Sequence, residues 1–312
     1  MDKLRILAVV GPTGGGKSAL ALALAKRLDG EIISCDSMQI YKNMDIGTAK
    51  PTPDEQGAVR HHMIDVAEPH ESYSCADYVS AAREAIEDCA RRGKLPIVCG
   101  GTGLYLDALL RENDLSPDTV DESIREELRE FYEKNGADAL WEMLYEIDPE
   151  SAEATHKNNV KRVMRAIEIY RVSGRTKTEL DRESRTGGNR YDACVIGLRY
   201  NDREALYERI NRRVDIMVSE GLLTETEKLR KEGVFEKNAT AAQAIGYKEF
   251  FPYLNGELTV DLCIEELKKA TRRYAKRQMT WFLAKDYVQW IDVDKKTFEE
   301  IVNNAEMLFK KM

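Results

Sequence analysis

The chain has 312 residues, of which 43% are hydrophobic, and its formal net charge is −8 at pH 7. This length exceeds what one core of ordinary size requires, and it favours a main domain with an insertion or a companion domain. No run of eighteen apolar residues and no C-x-x-C pair among the six cysteines is present, so we expect a cytoplasmic protein with reduced thiols, without a membrane span, a signal peptide or a zinc site.

The first predicted element is a strand, Ile6–Val10, which leads into the sequence GPTGGGKS. This matches the pattern G-x-x-x-x-G-K-[ST], in which amides enclose phosphate oxygens, the lysine supplies positive charge and the hydroxyl binds Mg²⁺. An Ala/Leu-rich helix follows over residues 19–28, and its amino terminus adds partial positive charge. The sequence therefore predicts a site for a di- or triphosphate, with Ser18 as a Mg²⁺ ligand, formed by Gly11, Pro12, Thr13, Gly14, Gly15, Gly16, Lys17 and Ser18.

A second predicted strand, Glu31–Cys35, brings Asp36 to its carboxyl end. In an open parallel sheet that end faces the ligand, on the same side as the phosphate loop. Asp36 is thus placed either to hold Mg²⁺ through water or to accept a proton as a general base. The alternative is an aspartate that only caps the following turn.

The third predicted strand, Pro96–Gly100, continues into the sequence GGTGLY. Nucleoside triphosphatases usually carry an acidic residue at the end of such a strand, whereas this chain offers the hydroxyl of Thr102. We therefore expect a site that holds a diphosphate without the usual apparatus for hydrolysis.

No strand pattern appears between about residues 113 and 190. We predict helices over residues 121–135, 137–145 and 158–173, followed by a Gly-rich basic loop at 186–190. Strand patterns resume at Cys194–Leu198 and Val288–Ile291, with a helix at Arg203–Ser219 between them.

The predicted fold class is α/β, a P-loop NTPase-like parallel sheet flanked by helices, with an all-helical insertion domain. The predicted boundaries are 1–113 and 191–312 for the α/β core and 114–190 for the insertion.

Charge is unevenly distributed along the chain. Residues 107–155 contain 16 acidic and 4 basic residues, whereas residues 156–190 contain 10 basic and 4 acidic ones. Residues 268–285 contain 7 basic residues and no acidic one. The two basic segments have the charge that binding to a nucleic-acid backbone requires, although each alone could also be a solvated helix face.

Four segments together resemble the bacterial tRNA dimethylallyltransferases, namely GPTGGGKS, DSMQIYKNMDIGTAKP at 36–51, GGTGLY at 100–105 and AKRQMTW at 275–281. The resemblance extends over nearly the whole chain, and the segment at 36–51 is far more specific than a phosphate loop. Members of this family transfer a dimethylallyl group from dimethylallyl diphosphate to N6 of the adenosine immediately 3′ of the anticodon. Ser18 replaces the threonine of many relatives but keeps the hydroxyl, and the eukaryotic zinc finger is absent, which favours a bacterial form.

The resemblance implies roles for individual residues. Asp36 corresponds to the catalytic base, Thr102 orients the base or the substrate, and Arg213 reaches the diphosphate; a structural role for Arg213, or a diphosphate held by the basic helix at 272–277, is the alternative. The positions implied to contact tRNA are Asp36, Ser37, Met38, Gln39, Thr102, Arg125, Lys161, Arg162, Val163, Met164, Arg165, Lys276, Arg277 and Gln278.

The implied partners are the anticodon stem-loop of tRNA and dimethylallyl diphosphate, with Mg²⁺ as the cofactor. The acceptor adenosine must leave its stack to reach such a pocket. We expect a monomer, because nothing in the sequence suggests a self-complementary apolar face. Two other classes remain open at this point. A small-molecule kinase would share the architecture up to about Leu110, and a non-catalytic RNA-binding protein could retain the phosphate loop.

Overall fold

The structure, a computed structural model, describes residues 3–112 and 121–312, without the side chains of residues 184–186. The described part of the chain divides into two compact units, Met1–Leu110 with Arg190–Met312, and Arg111–Asn189. The predicted boundary at residues 113 and 114 lies outside the described residues, and the division falls three residues before it. The second division falls one residue before the predicted boundary between 190 and 191.

The larger unit is built on a six-stranded parallel sheet with the strand order β3-β2-β4-β1-β5-β6. The strands are β1 Arg5–Val10, β2 Gly30–Cys35, β3 His61–His62, β4 Leu95–Gly100, β5 Asp192–Arg199 and β6 Val288–Asp292. Five of them confirm predicted strands. The two-residue β3 was not predicted, because it is too short to show an apolar pattern.

Helices cover both faces of this sheet. They are α1 Lys17–Arg27, α2 Pro53–Ala58, α3 Cys75–Arg91, α4 Gly103–Leu110, α9 Arg203–Ser219, α10 Leu222–Lys231, α11 Val234–Lys237, α12 Phe251–Leu254, α13 Val260–Leu283 and α14 Phe298–Lys311, with short 3-10 helices at Ala241–Gln243 and Lys248–Phe250. The predicted helix Arg203–Ser219 is confirmed. Buried side chains of α1 and α14, such as Leu24 and Val302, pack with Leu7 and Val9 of β1 in the main core.

A second core of the larger unit lies under the segment that follows β2. Ile40, Tyr41 and Met44 of this segment are fully buried and cluster with Tyr247 and Phe250. Burial of these side chains gives the segment at 36–51 a fixed course, although it contains no long regular element.

The smaller unit is helical, with α5 Glu122–Ile147, α6 Pro149–Glu153, α7 Val160–Ser173 and α8 Lys177–Thr186. Gly136 has non-helical angles (φ 83°, ψ −179°), so the two helices predicted on either side of it are confirmed as two segments of α5. Helix α8 was not predicted because it has little apolar character. Its capping box, in which Thr176 and Glu179 bond reciprocally to backbone amides, is the sequence signal that could have identified it.

All six cysteines are free thiols and five of them are buried, as expected. Among the helices that the structure describes, none is both long and apolar enough to cross a membrane.

A buried ion pair lies at the amino end of β2, at the opposite end of the strand from Asp36. Arg92 donates to both carboxylate oxygens of Glu31, and His62 Nε2 lies 2.7 Å from Glu31 Oε2. The hydrogen bonds from Arg92 lower the pKa of Glu31 to about 2, against the effect of burial. Ligand atoms of Glu31, His62 and Cys89 lie within 4.8 Å of one another, as in a metal site, but Arg92 already supplies the positive charge here.

We predict that Glu31→Gln lowers the free energy of unfolding at pH 7 by about 1–3 kcal/mol, because it leaves buried donors without their charged acceptor. Since the pKa of Glu31 is depressed in the folded state, its contribution is present above about pH 4.3 and is lost as the pH falls towards about 2. Urea unfolding at several pH values measures this. The exposed Glu84→Gln on α3 is the control, and an equal effect of both substitutions would contradict the prediction.

Candidate active site

The phosphate loop connects β1 to α1 at the carboxyl edge of the sheet. Gly11, Gly14 and Gly16 have φ values of 139°, 74° and 92°, in the region that glycine adopts without steric cost. The carbonyl of Pro12 accepts a hydrogen bond from the Gly15 amide at 3.0 Å and one from Lys17 Nζ at 2.8 Å. The ammonium group of Lys17 is therefore held against the loop that carries it.

Burial dominates the electrostatics of the two cations at this edge. It lowers the pKa of Lys17 to about 8, an effect that the positive charge of Arg213 reinforces and that Cys99 and Asp36 oppose. Burial also lowers the pKa of Arg213, and the negative charge of Asp36 opposes this. The two cations and the carboxylate are therefore close enough to influence one another.

Asp36 directly follows β2, as predicted. Its Oδ1 accepts a hydrogen bond from the Met38 amide at 2.9 Å, and the next amide, that of Ser37, donates to Thr102 Oγ1 at 3.1 Å. The Thr102 amide donates to the Cys35 carbonyl at 3.2 Å. Thr102 thus fixes the backbone on both sides of Asp36, which agrees with an orienting role for this residue.

A small cavity of about 60 Å³ brings the predicted residues together. Its lining includes Lys17 and Ser18 of the phosphate loop, Asp36 after β2 and Arg213 on α9. Thr48 and Tyr274, which the sequence did not single out, also line this cavity.

Two larger cavities adjoin this group of residues. One, of about 990 Å³, lies beside the phosphate loop and is lined by Lys17, Ser18, Arg209, Arg212 and Arg213 among others. The other, of about 310 Å³, contains Asp36 and Arg213 together with apolar side chains, namely Met38, Ile210, Val214, Met217, Ile245 and Leu267. The arrangement can hold an anionic group on one side of Lys17 and an uncharged group next to Asp36.

Gln278 on α13 joins two of the loops at the sheet edge. Its Oε1 accepts a hydrogen bond from the Thr13 amide at 2.8 Å, and its Nε2 donates to the Gly101 carbonyl at 3.0 Å. The residue is only 5% exposed. The amide group of Gln278 therefore positions the phosphate loop, and the predicted contact of Gln278 with tRNA stays a prediction.

Gln39 is likewise committed to internal contacts. Its Nε2 donates to the carbonyls of Thr48 and Ala49 at 3.2 and 3.1 Å, and its Oε1 accepts from Ser34 Oγ at 2.8 Å. Of the other residues predicted to contact tRNA from this segment, Ser37 and Met38 are half-buried and line the 310 Å³ cavity. Their contact with tRNA stays a prediction.

The remaining predicted positions on α13 are exposed. Lys276 and Arg277 both reach solvent, and the Arg277 guanidinium lies 5.5 Å from the centre of the Tyr274 ring. Arg277 also lines the 310 Å³ cavity. Arg272 lies one turn earlier on α13 and instead donates to Asn211 Oδ1 of α9 at 2.7 Å.

In the smaller unit, α7 carries five of the predicted positions. Lys161 and Arg162 are exposed, and Met164 is partly buried against the helical core. Val163 is 0% exposed and its side chain belongs to that core, while the predicted contact of residue 163 with tRNA stays a prediction. An apolar residue within a basic run belongs to the buried stripe of the helix.

Arg125 of α5 and Arg165 of α7 share one buried partner. Arg125 Nε lies 2.8 Å from Glu168 Oε1, and Arg165 Nη1 lies 2.8 Å from Glu168 Oε2. The two arginine side chains are 36% and 33% exposed, whereas that of Glu168 is 3% exposed. Glu168 therefore orients both arginines at the surface and offsets part of their charge.

Comparisons with known proteins are consistent with these observations. The sequence model of the IPP transferase family matches residues 39–285. The chain is 46% identical over 303 residues to a tRNA dimethylallyltransferase of Caldanaerobacter subterraneus subsp. tengcongensis, with 96% of each chain covered. It is 48% identical over 309 residues to that of Geobacillus thermodenitrificans, with 98% of this chain and 95% of the relative covered.

Solved structures extend the comparison to the fold. The full-length tRNA isopentenylpyrophosphate transferase of Bacillus halodurans is 43% identical, with a TM-score of 0.72 and coverage of 99% of this chain and 98% of that one. A eukaryotic dimethylallyltransferase described as acting on tRNA is 30% identical, with a TM-score of 0.83 and coverage of 99% and 80%. The resemblance predicted from four sequence segments is thereby confirmed, and the chain belongs to the IPP transferase family.

Proposed function

We propose that the protein transfers a dimethylallyl group from dimethylallyl diphosphate to N6 of the adenosine immediately 3′ of the anticodon in tRNA. The observation that carries this proposal is the convergence of Lys17, Arg213 and Asp36 on one cavity at the carboxyl edge of the sheet. Membership of the IPP transferase family and the names of the relatives support the same reaction, and they disfavour the kinase and the non-catalytic alternatives.

In the proposed reaction, the N6 nitrogen attacks C1 of the dimethylallyl group as the C1–O bond breaks. The diphosphate leaves with the electron pair of that bond, and Asp36 accepts the proton from N6. Lys17, Arg213 and the amides of the phosphate loop stabilise the negative charge that develops on the leaving oxygen. No water has to be activated, which agrees with the hydroxyl of Thr102 at the position where nucleoside triphosphatases carry an acid.

Mg²⁺ is part of the proposal. The Ser18 hydroxyl and the Asp36 carboxylate line the same cavity, and oxygen donors of this kind are the ligands that Mg²⁺ prefers. These two residues would hold the ion, directly or through water, and the bound ion would add positive charge next to the diphosphate.

The proposed acceptor is a base in the anticodon stem-loop of tRNA. Four exposed basic side chains are suited to phosphate contacts, namely Lys161, Arg162, Lys276 and Arg277. Contacts of this kind position an RNA without reading its sequence. The side chains of Arg125 and Arg165 are each about one-third exposed, and they can add to these phosphate contacts.

The decisive experiment incubates the protein with unmodified tRNA and labelled dimethylallyl diphosphate and identifies the labelled nucleoside. We predict that Asp36→Asn lowers turnover by roughly 10²–10⁴-fold, the usual size of a general-base contribution, and leaves tRNA affinity near that of the wild type. The control is the same substitution at the exposed Asp54 on α2. Turnover close to the wild-type value in Asp36→Asn would exclude Asp36 as the base.

We predict that inorganic diphosphate binds progressively more weakly as the pH rises above about 8, because the Lys17 ammonium group of the unliganded protein loses its proton there. Lys17 is charged below this pH, so its contribution to binding is complete at pH 7 and falls by up to about tenfold per pH unit above its pKa. Calorimetric titrations with wild type and Lys17→Ala at each pH measure the ratio of affinities. This ratio cancels the ionisation of the ligand itself, and a ratio independent of pH would contradict the prediction.

We predict that replacing Lys161, Arg162 and Arg165 together by alanine weakens tRNA binding and leaves donor affinity unchanged. Each lost phosphate contact lowers the slope of log K against log salt concentration by about 0.7–0.9, so three contacts predict a decrease of roughly 2–3. Binding measured at several salt concentrations provides the slope.

The control for this variant removes three other exposed bases of the same unit, Arg129, Lys134 and Arg182, and therefore changes the net charge equally. Only the first variant is expected to change the slope by the stated amount. Equal slopes for the two variants would mean that α7 carries a solvated basic face and makes no direct phosphate contacts.

A further inference from the structure

One carboxylate outside the predicted site holds three consecutive backbone amides of the segment at 36–51. Glu225, on α10, accepts hydrogen bonds through Oε2 from the amides of Asp45 and Ile46 at 3.1 and 2.9 Å. Its Oε1 accepts from the Gly47 amide at 3.0 Å and from the Tyr247 hydroxyl at 2.7 Å. Hydrogen bonds to an ionised acceptor are roughly twice as strong as neutral ones, so four of them fix this short stretch of backbone.

The ring of Tyr247 packs directly against the same stretch. A Cβ atom on Gly47 would lie 2.3 Å from the ring, and Tyr247 itself is 0% exposed. Glycine at position 47 is therefore required by the close approach of the ring. Glu225 and Tyr247 together determine where residues 45–47 run.

The residues that follow are held by the amide group of Gln39, which donates to the carbonyls of Thr48 and Ala49. The segment is thus fixed from two sides, by Glu225 at 45–47 and by Gln39 at 48–49. Both clamps act on backbone atoms of residues 45–49, and they add to the burial of Ile40, Tyr41 and Met44 at the start of the segment.

This stretch forms a wall of the cavities that contain Asp36. Gly47 and Thr48 line the 310 Å³ cavity, and Thr48 also lines the 60 Å³ cavity with Lys17 and Asp36. Asp36 itself is held separately, by the Met38 amide and by its place at the end of β2. A change at Glu225 would therefore move the part of the cavity lining at Gly47 and Thr48 and leave the Asp36 carboxylate in place.

We propose that Glu225, with Tyr247, is a positioning residue of the transferase site, which fixes the wall at Gly47 and Thr48 against which the acceptor must lie to meet Asp36. The proposal rests on the proposed function, because it concerns the approach of that acceptor. Neither side chain touches the reacting groups. The effect arises because a displacement of about 1 Å in a reacting geometry can lower the rate by about 10²-fold.

The experiment compares Glu225→Gln, Tyr247→Phe and the double variant with the wild type. In Glu225→Gln, one acceptor oxygen remains, and the amide NH₂ group that replaces the other oxygen faces backbone N–H donors to which it cannot bond. Tyr247→Phe removes one donor and keeps the ring over Gly47. The measurements are kcat and KM with tRNA, the pH profile of kcat, and the affinity and stoichiometry of donor binding.

We expect kcat to fall by about 10–100-fold in Glu225→Gln and by a smaller factor in Tyr247→Phe. Donor affinity should stay within about twofold with unchanged stoichiometry, and the pH at which kcat rises should not move, because the phosphate loop and Asp36 are intact. Since both residues act through one network, the loss in the double variant should be smaller than the product of the single losses.

The control is Glu220→Gln, which removes an exposed carboxylate of the same chain region and should keep wild-type turnover. A turnover within about twofold of wild type in Glu225→Gln would overturn the proposal, and so would donor stoichiometry that falls in step with turnover, because that result indicates lost folding. If the wild type itself labels no tRNA, the proposed function is wrong. If the wild type is active and the variants are unaffected, the proposed function stands and only the positioning role of Glu225 is wrong.

Discussion

The site depends on burying two cations next to one carboxylate. Removing Lys17 and Arg213 from water is unfavourable, and the lowered pKa values of both groups express this cost. Asp36 offsets only part of it, because it brings one negative charge against two positive ones. The unbalanced positive charge favours binding of an anion in a site that is already partly desolvated. The same charges stabilise a leaving group more strongly than they would in water.

Hydrogen bonds between loops, and not regular secondary structure, fix the geometry of this site. Gln278 connects the phosphate loop to the turn after β4, Thr102 connects that turn to the backbone next to Asp36, and Gln39 closes the segment at 36–51 on itself. Each of these polar side chains has its partners inside the protein, which is the usual condition for burying an amide or a hydroxyl. The Asp36 carboxylate, by contrast, accepts a hydrogen bond from the Met38 amide and lines the cavity between these loops.

The helical unit has its own hydrophobic core, and a buried carboxylate at the edge of this core holds two of its arginine side chains. Leu128, Leu140 and Val163 pack in its centre, and Glu168 holds Arg125 and Arg165 at the edge of that core. Two arginines that share a buried carboxylate are held in defined positions and lose less conformational freedom when they meet a phosphate. Exposed lysine and arginine at 161 and 162 have no such constraint among the contacts described, and they supply charge more than geometry.

The sequence by itself determined the phosphate loop, Asp36, Thr102, five of the strands and the existence of a helical insertion. These are local properties, because glycine spacing, apolar runs and the order of strands and helices act within a few residues of one another. The sequence also determined the family, since the residues at 36–51 form a motif that is far more specific than a phosphate loop. The burial of Val163 was not determined in this way, because a basic run in the chain does not reveal which of its members the helix buries.

Only the tertiary structure decided which distant residues hold the site together. Gln278 lies 265 positions from Thr13, and Glu225 lies 178 positions from Gly47. Neither has a local pattern that distinguishes it from a surface glutamine or glutamate on an amphipathic helix. Their roles follow from the parallel sheet, which gathers the loops after β1, β2 and β4 at one edge, and from α10 and α13, which bring a side chain to backbone groups left without partners there. Contacts of this kind depend on the folded path of the chain, and for that reason no stretch of sequence carries them.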